Sequence, residues 1–292
     1  MELINFRDNG KTEHSSLIEK VCENLALPDS TFLGTRITKK MLVDNNNLSS
    51  HDKKLVTDVI QSIEWQNTLK PETLNVPIYI TDIVEYIEIA VIRVVLKNAG
   101  NETDSKNKAK LNSSSLSKIT KLLHTLIPYP VMLLLELGEE LAISLADKRI
   151  NQADKSKLVI EHIYNSDWLN SSGLTENENH FLNDFSLKNV SSLNYFELYQ
   201  DFISMLIALD ISSLTGMYRT KSIQVDSTEL KFVAKSNEDK TLLLHKLVTL
   251  EADLAGLRNR LKKETQMNQK LKLNLEAKKI KLSISKVRSC LY

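Results

Sequence analysis

The stretch VMLLLELGEELAISLA, residues 131–146, decides the core of the fold. Two apolar runs, residues 131–136 and 140–146, flank the segment Leu137-Gly138-Glu139. A short turn with glycine between two apolar runs is typical of a β-hairpin. Strands are also predicted for EYIEIAVIRVVLK at residues 85–97, whose apolar middle indicates burial in a sheet, and for KLVIEHIY at residues 157–164.

Amphipathic segments surround these strands. Apolar residues recur at helical spacing over residues 16–27, 52–65, 116–126 and 193–214. Residues 31–43 are rich in β-branched side chains, which predicts a strand or a bent hairpin, whereas residues 69–77 are expected to be extended and residues 165–190 irregular. We therefore expect an α+β fold in which helices pack on a mixed β-sheet.

The expected organisation has two parts. Residues 1–225 are predicted to form the globular body, with a mobile polar insert at residues 98–115. Residues 226–292 are predicted to form a long, basic, coiled-coil helix. Its helical core runs from about residue 239 to residue 285, a length of roughly 70 Å at about 1.5 Å per residue.

A heptad pattern supports this helix. Its leucines recur at alternating spacings of four and three residues, which forms a continuous apolar seam. The same register continues through Glu264, Lys278 and Leu282. The predicted interface comprises Leu243, Leu247, Leu250, Leu254, Leu257, Leu261, Asn268, Leu271 and Leu275.

Two partners fit this seam. It favours self-association or docking onto another coiled coil, and one buried asparagine, Asn268, is a known device for fixing the register of such a pair. The alternative is that the helix packs back on the body, or on a preceding helix, as an antiparallel hairpin.

Charge divides the chain in the same way. Residues 240–292 contain 13 Lys+Arg and 4 Asp+Glu, so they carry a net charge of +9 and leave −8 on the rest. Such an arm can meet phosphates or an acidic protein surface, and duplex backbone contact needs only the charges. A solvated face is the simpler alternative. The basic arm comprises Arg258, Arg260, Lys262, Lys263, Lys270, Lys272, Lys278, Lys279 and Lys281.

A second cationic segment, DKRINQADKSK at residues 147–157, follows the predicted hairpin. It is a candidate site for a phosphate or a carboxylate, because charged donors at a strand end can form charge-assisted hydrogen bonds. A solvated loop or short helix explains it equally well. The candidate residues are Lys148, Arg149, Asn151, Gln152, Lys155 and Lys157.

No motif for catalysis, a metal or a cofactor stands out. The histidines are scattered, the glycines are isolated, and the two cysteines lie at opposite ends of the chain. The longest apolar run has five residues, whereas a membrane helix needs about 20. We therefore expect a cytoplasmic protein without a metal or cofactor. A divergent metal-dependent nuclease is the alternative, with Glu85, Glu88, Glu136 and Asp147 as candidate carboxylates.

Four segments resemble one family: residues 64–76, 85–97, 127–169 and the tail LKKETQMNQKLKLNLEAKKIKL at residues 261–282. The chain resembles bacterial domain of unknown function family 4391. The resemblance implies an accessory protein that occurs beside helicases and DNA methyltransferases in restriction-like and anti-phage loci, with no enzymatic role to transfer. We therefore expect a non-catalytic accessory subunit that binds a protein partner, DNA or both. The remaining alternative is a coiled-coil scaffold with no nucleic-acid role.

Overall fold

The computed structural model describes residues 16–44, 48–97, 113–154, 157–219 and 236–291. Most of the predicted insert, Lys155 and the predicted boundary at residues 225 and 226 lie outside these ranges. The described strands are β1 (Phe32–Ile37), β2 (Ile60–Leu69), β3 (Tyr79–Ile80), β4 (Glu85–Tyr86), β5 (Ile89–Leu96), β6 (Val131–Leu137), β7 (Glu140–Ile150), β8 (Leu158–Asn165) and β9 (Leu169–Asn170).

Helices precede, connect and follow these strands. The described α-helices are α1 (Leu17–Leu25), α2 (Lys39–Asp44), α3 (Ser50–Val59), α4 (Pro71–Leu74), α5 (Ser113–Leu126), α6 (Glu176–Asp184), α7 (Tyr195–Thr215), α8 (Asn237–Lys263) and α9 (Met267–Leu291). No helix in the described ranges combines the length and apolar character needed to cross a membrane.

A seven-stranded mixed sheet forms the centre of the molecule. Its order is β1-β2-β5-β6-β7-β8, and β9 also pairs with β7. β5 and β6 are parallel, with α5 in the connection between them, while the other neighbours are antiparallel. A separate two-stranded ribbon consists of β3 and β4. The expected α+β class, mixed sheet and β6–β7 hairpin are confirmed.

Successive strand residues point to opposite sides of the sheet, and helices cover both sides. On β6, Met132 and Leu134 join the core that includes α1, α6, α7 and parts of α8 and α9. Val131, Leu133 and Leu135 join the opposite core, which includes α2, α3 and α5. The sheet is thus the middle layer between two layers of helices.

Four local predictions need correction. The helix predicted over residues 52–65 ends at Val59, because Ile60 already belongs to β2. An irregularity between Ile60 and Ser62 lets Ile60 and Ile63 face the same core, which mimics helical spacing. Residues 31–43 contain both β1 and α2, residues 69–77 contain the short helix α4, and residues 165–190 contain β9 and α6.

Candidate functional site

The C-terminal region is a helical hairpin, defined here as α8, α9 and the reversal at residues 264–266. The hydroxyl of Ser236 accepts a hydrogen bond from the backbone N–H of Asp239 at 3.1 Å and starts α8. At the reversal, Oε1 of Glu264 accepts the backbone N–H groups of Thr265 and Gln266, each at 2.9 Å. The prediction of one helix from residue 239 to residue 285 is wrong, because the chain turns back at these residues.

The leucine seam of α8 faces this second helix. Leu247 and Leu254 are buried, and the other seam leucines of α8 are half-buried. Nη2 of Arg288 near the end of α9 donates to Oε1 of Glu251 in the middle of α8 at 2.8 Å, so the two helices run antiparallel. This arrangement corrects the predicted intermolecular interface, because the chain itself covers Leu243, Leu247, Leu250, Leu254, Leu257 and Leu261.

The second half of the predicted seam lies on the face of α9 that points away from α8. Asn268, Leu271 and Leu275 are exposed rather than covered. The reversal restarts the helical register, so a different set of residues faces α8. The buried residues of α9 are Leu273, Ile284, Val287 and Leu291.

The basic arm lies on the outside of the hairpin. Lys270 is half-buried and the other eight predicted cations are exposed. Within the described ranges, none of the nine lies within ion-pairing distance of a carboxylate. We define the hairpin tip as residues 258–270, where four cations, Arg258, Arg260, Lys262 and Lys263, are concentrated at the end of α8. The tip therefore presents positive charge, and its one carboxylate, that of Glu264, accepts backbone N–H groups and forms no described ion pair with these four cations.

The segment at residues 147–157 proves to be the end of β7 and the turn into β8. Lys148 is buried, and its Nζ donates to the backbone oxygens of Ile127 and Tyr129, both at 2.6 Å. Burial lowers the pKa of Lys148 to about 7. Lys148 therefore satisfies the carbonyls that follow α5, which corrects its assignment to a surface anion site.

The other described residues of this segment mostly form local contacts on β7, β8 and the turn between them. Nε of Arg149 pairs with Oε1 of Glu161 at 2.6 Å, and Nζ of Lys157 pairs with Oδ2 of Asp154 at 2.7 Å. Oδ1 of Asn151 accepts the backbone N–H of Ala153 at 2.9 Å, and Gln152 is exposed. The structure does not gather these residues into one cationic site.

A polar network that sequence reasoning missed surrounds Asp147. Its carboxylate accepts hydrogen bonds from the Tyr164 hydroxyl at 2.9 Å and from Nε2 of Gln200 at 2.6 Å. Desolvation raises the pKa of Asp147, although these two hydrogen bonds oppose that rise. Nδ2 of Asn237, the first residue of α8, donates to Oε1 and to the backbone oxygen of Gln200, both at 2.8 Å. The network thus joins the sheet, α7 and the base of the hairpin.

A cleft of about 460 Å³ opens next to this network, between α5, β8, α7 and α8. Asp167 and Asp210 line it together with His162 and His245. Asp210 keeps contact with solvent, but desolvation and then the like charge of Asp167 raise its pKa to about 7. These residues come from β8, α7, α8 and the loop after β8, so no local sequence motif predicts the cleft.

The carboxylates of the nuclease alternative do not converge. Glu136 pairs with Arg93, whose Nη2 lies 3.0 Å from Oε2 of Glu136, and Asp147 is held by the network described above. Glu85 lies on the separate β3–β4 ribbon. In the described part of the chain, no group of three or more His, Cys, Asp or Glu residues is arranged to hold a metal ion.

Of the comparisons with known proteins, the one with family models agrees with the resemblance of the four segments. Neither the curated proteins nor the solved structures gave a match. The family model described as Domain of unknown function (DUF4391) matches residues 25–284, which is nearly the whole chain. The chain therefore belongs to the DUF4391 family.

Proposed function

We propose that this protein is a non-catalytic accessory subunit of a bacterial DNA-directed defence or modification assembly, and that its hairpin tip contacts nucleic-acid phosphates. The observation that carries the proposal is the group of exposed cations at the tip, Arg258, Arg260, Lys262 and Lys263, which have no described acidic partner. The body supplies the rigid base and a surface for a protein partner such as a helicase-like or methyltransferase-like subunit.

The arrangement of the tip supports backbone contact. Lysine and arginine bind phosphates by charge, and amide side chains add hydrogen bonds to phosphate oxygens. Asn259, Gln266, Asn268 and Gln269 are exposed amides on the same tip. Such contacts position a protein on DNA without reading its sequence, which suits an accessory subunit whose partner supplies the specificity.

The base of the hairpin supports a mechanical role for the body. Asn237 is bonded to Gln200, and Nζ of Lys240 donates to Oγ of Ser204 at 3.2 Å. Leu247 and Leu254 belong to the same core as α7 and the sheet. The hairpin is therefore anchored at its base, while the tip residues are covered only along the line that faces the paired helix. A rigid base limits the entropy lost when the tip binds.

The proposal is tested with the full chain and a fluorescent DNA duplex by anisotropy over a range of salt concentrations. The variant Arg258→Gln, Arg260→Gln, Lys262→Gln, Lys263→Gln removes four tip charges. If each cation contacts one phosphate, the slope of log K against log salt becomes less steep by about 3.6, at about 0.9 per phosphate. Affinity at low salt is expected to fall by more than roughly a hundredfold.

A matched control removes the same charge elsewhere. Lys53, Lys54, Lys118 and Lys121 are exposed on α3 and α5, on the opposite side of the sheet from α7. Their replacement by glutamine is expected to leave most of the affinity intact. Equal losses for the two quadruple variants would show that binding follows net charge and not the tip. A wild-type chain that does not bind the duplex at low salt would overturn the proposal.

A further inference from the structure

The outer face of α9 carries an apolar stripe that no described part of the chain covers. Leu271, Leu275 and Leu282 are 54%, 62% and 57% exposed. Their spacings of four and seven residues place them on one line of the helix, opposite the residues that pack on α8. A helix that is apolar on two opposite faces is usually covered on both of them.

Lysines flank this stripe on both sides. At about 100° per residue, Lys272 and Lys279 fall on one side of the stripe, and Lys278 and Lys281 fall on the other side. Glu276 is the single acidic residue of α9. A surface that complements this face must therefore be apolar in its middle and acidic at its rim.

The β3–β4 ribbon has this composition. Tyr79 pairs with Tyr86 across the ribbon, and both pack against Phe196 below it. The alternation of strand residues turns Ile78, Ile80 and Ile87 to the other, outer side, where they are 44%, 54% and 44% exposed.

The start of α7 extends this apolar surface. The backbone N–H of Tyr195 donates to the oxygen of Pro77 at 3.0 Å, which brings the chain that carries the 69%-exposed Leu193 close to the start of the ribbon. We define the ribbon patch as Ile78, Ile80, Ile87 and Leu193. Acidic residues accompany this patch: Glu85 is the cross-strand partner of Ile80, and both Glu85 and Asp82, in the segment that joins β3 and β4, are exposed.

We propose that the outer face of α9 of one copy docks on the ribbon patch of a second copy. Leucines on the helix then cover isoleucines on the ribbon, and lysines on the helix meet the exposed carboxylates of Asp82 and Glu85. A reciprocal pair of such contacts closes a twofold dimer, which is the commonest form of soluble oligomer. The contact uses neither the leucine seam of α8 nor the four tip cations, so it stands independently of nucleic-acid binding.

The first test is the mass of the full chain in solution, measured by light scattering and by sedimentation at concentrations up to about 50 µM. Wild type is expected to form a dimer. Leu275→Asp and Ile80→Asp each bury a charge in the apolar contact and are expected to weaken the dimer by roughly tenfold or more. Glu85→Lys, which keeps all four patch residues and reverses the charge opposite Ile80, is expected to weaken it less.

Matched controls separate the contact from general surface effects. Leu242 on α8 is 61% exposed and Met41 on α2 is 55% exposed, and both lie outside the two surfaces. Leu242→Asp and Met41→Asp are expected to dimerise like wild type. Circular dichroism checks that every variant is folded, and Glu85→Lys keeps the test decisive if an aspartate variant fails to fold.

Complementation identifies the occupant. Ile80→Asp retains an intact α9 face and Leu275→Asp retains an intact ribbon patch, so a mixture can form one of the two wild-type contacts. The mixture is expected to yield a one-to-one complex that neither variant forms alone at the same concentration. A monomeric wild type, equal behaviour of the variants and controls, or a mixture that gains no mass would overturn the proposal.

Discussion

The central sheet and the C-terminal hairpin bury apolar residues in different ways. β5 and β6 are covered on both faces by helices from distant parts of the chain. α8 and α9 cover each other along one line, and their outer faces remain exposed. The sheet residues are therefore committed to one structure, whereas the hairpin retains surfaces that can bind. The four predictions below test this difference in order of decreasing effect.

The largest effect is expected in the core that covers the sheet. Phe202 on α7 is 1% exposed and its ring centroid lies 4.9 Å from that of Phe185. Phe202→Ala leaves a cavity and is expected to lower the free energy of unfolding by about 3–5 kcal/mol. Leu257→Ala, at a half-buried position of the hairpin, is expected to cost only about 1 kcal/mol.

Urea unfolding measures the global cost, and hydrogen exchange of the α8 and α9 amides measures local opening. Leu257→Ala should accelerate exchange mainly in the hairpin. Equal costs for the two variants, together with uniform exchange, would show that the hairpin and the sheet form one cooperative unit.

The second prediction concerns two kinds of lysine. Lys148 donates to two carbonyls inside the body, whereas Lys262 and Lys263 are exposed at the tip. Lys148→Met leaves both carbonyls without this donor and is expected to cost about 1–3 kcal/mol of stability. DNA affinity, measured on the folded variant, should stay within about twofold of wild type. A large loss of affinity with unchanged stability would restore Lys148 as an anion-binding residue.

The third prediction uses the raised pKa of Asp210. Between its unfolded value of 3.8 and its folded value of about 7, the folded chain holds a proton that the unfolded chain releases. The stability that this proton contributes is complete below pH 3.8 and is lost as the pH rises through 7. Asp210→Asn should therefore be neutral near pH 4 and stabilising at pH 8. Because Asp210 retains contact with solvent, we expect a gain of only about 1 kcal/mol.

Thermal unfolding from pH 4 to pH 8 measures this difference. Asp253→Asn is the matched control, since Asp253 is exposed on α8 in the hairpin. It is expected to change stability little at either pH. Wild type and Asp210→Asn whose stabilities change by the same amount between pH 4 and pH 8 would contradict the prediction.

The sequence predicted best those parts of the fold in which the side chains are buried on both faces of a strand. Both faces of the strands at residues 131–146 are buried, so the two halves of this run are almost wholly apolar, and the glycine turn between them identified β6 and β7. The helix predicted over residues 52–65 was too long because an irregularity in β2 places Ile60 and Ile63 at a helix-like spacing. α6 was missed because only Phe181 and Leu182 of its nine residues are buried, although the capping box of Thr175 and Glu178 was a usable signal.

The candidate surfaces were less predictable for a related reason. The leucines of α8 identified an apolar face, but a heptad pattern does not state which helix covers it. At the reversal the carboxylate of Glu264 accepts two backbone N–H groups, and a single glutamate is no local signal for a helix break. Lys148 was predicted to bind an anion because of its charge. However, β7 continues past Ala146, and Lys148 is buried as one of its residues. Tertiary packing, which periodicity does not contain, decided each of these outcomes.

The smallest expected effect distinguishes the pairing of α8 with α9 from the packing of the sheet. Arg288 and Glu251 form the ion pair between these helices, and both side chains keep more than a third of their surface exposed. Exposed pairs contribute little because water and salt screen them, so Glu251→Gln is expected to cost about 0.2–0.5 kcal/mol at low salt and less at high salt. A double-mutant cycle with Arg288→Gln isolates the coupling between the two residues. A coupling near zero, with wild-type exchange rates in α9, would mean that the apolar seam alone holds the hairpin closed. A coupling above about 1 kcal/mol would instead place the pair in a drier environment, as expected if a second chain covers this part of α9.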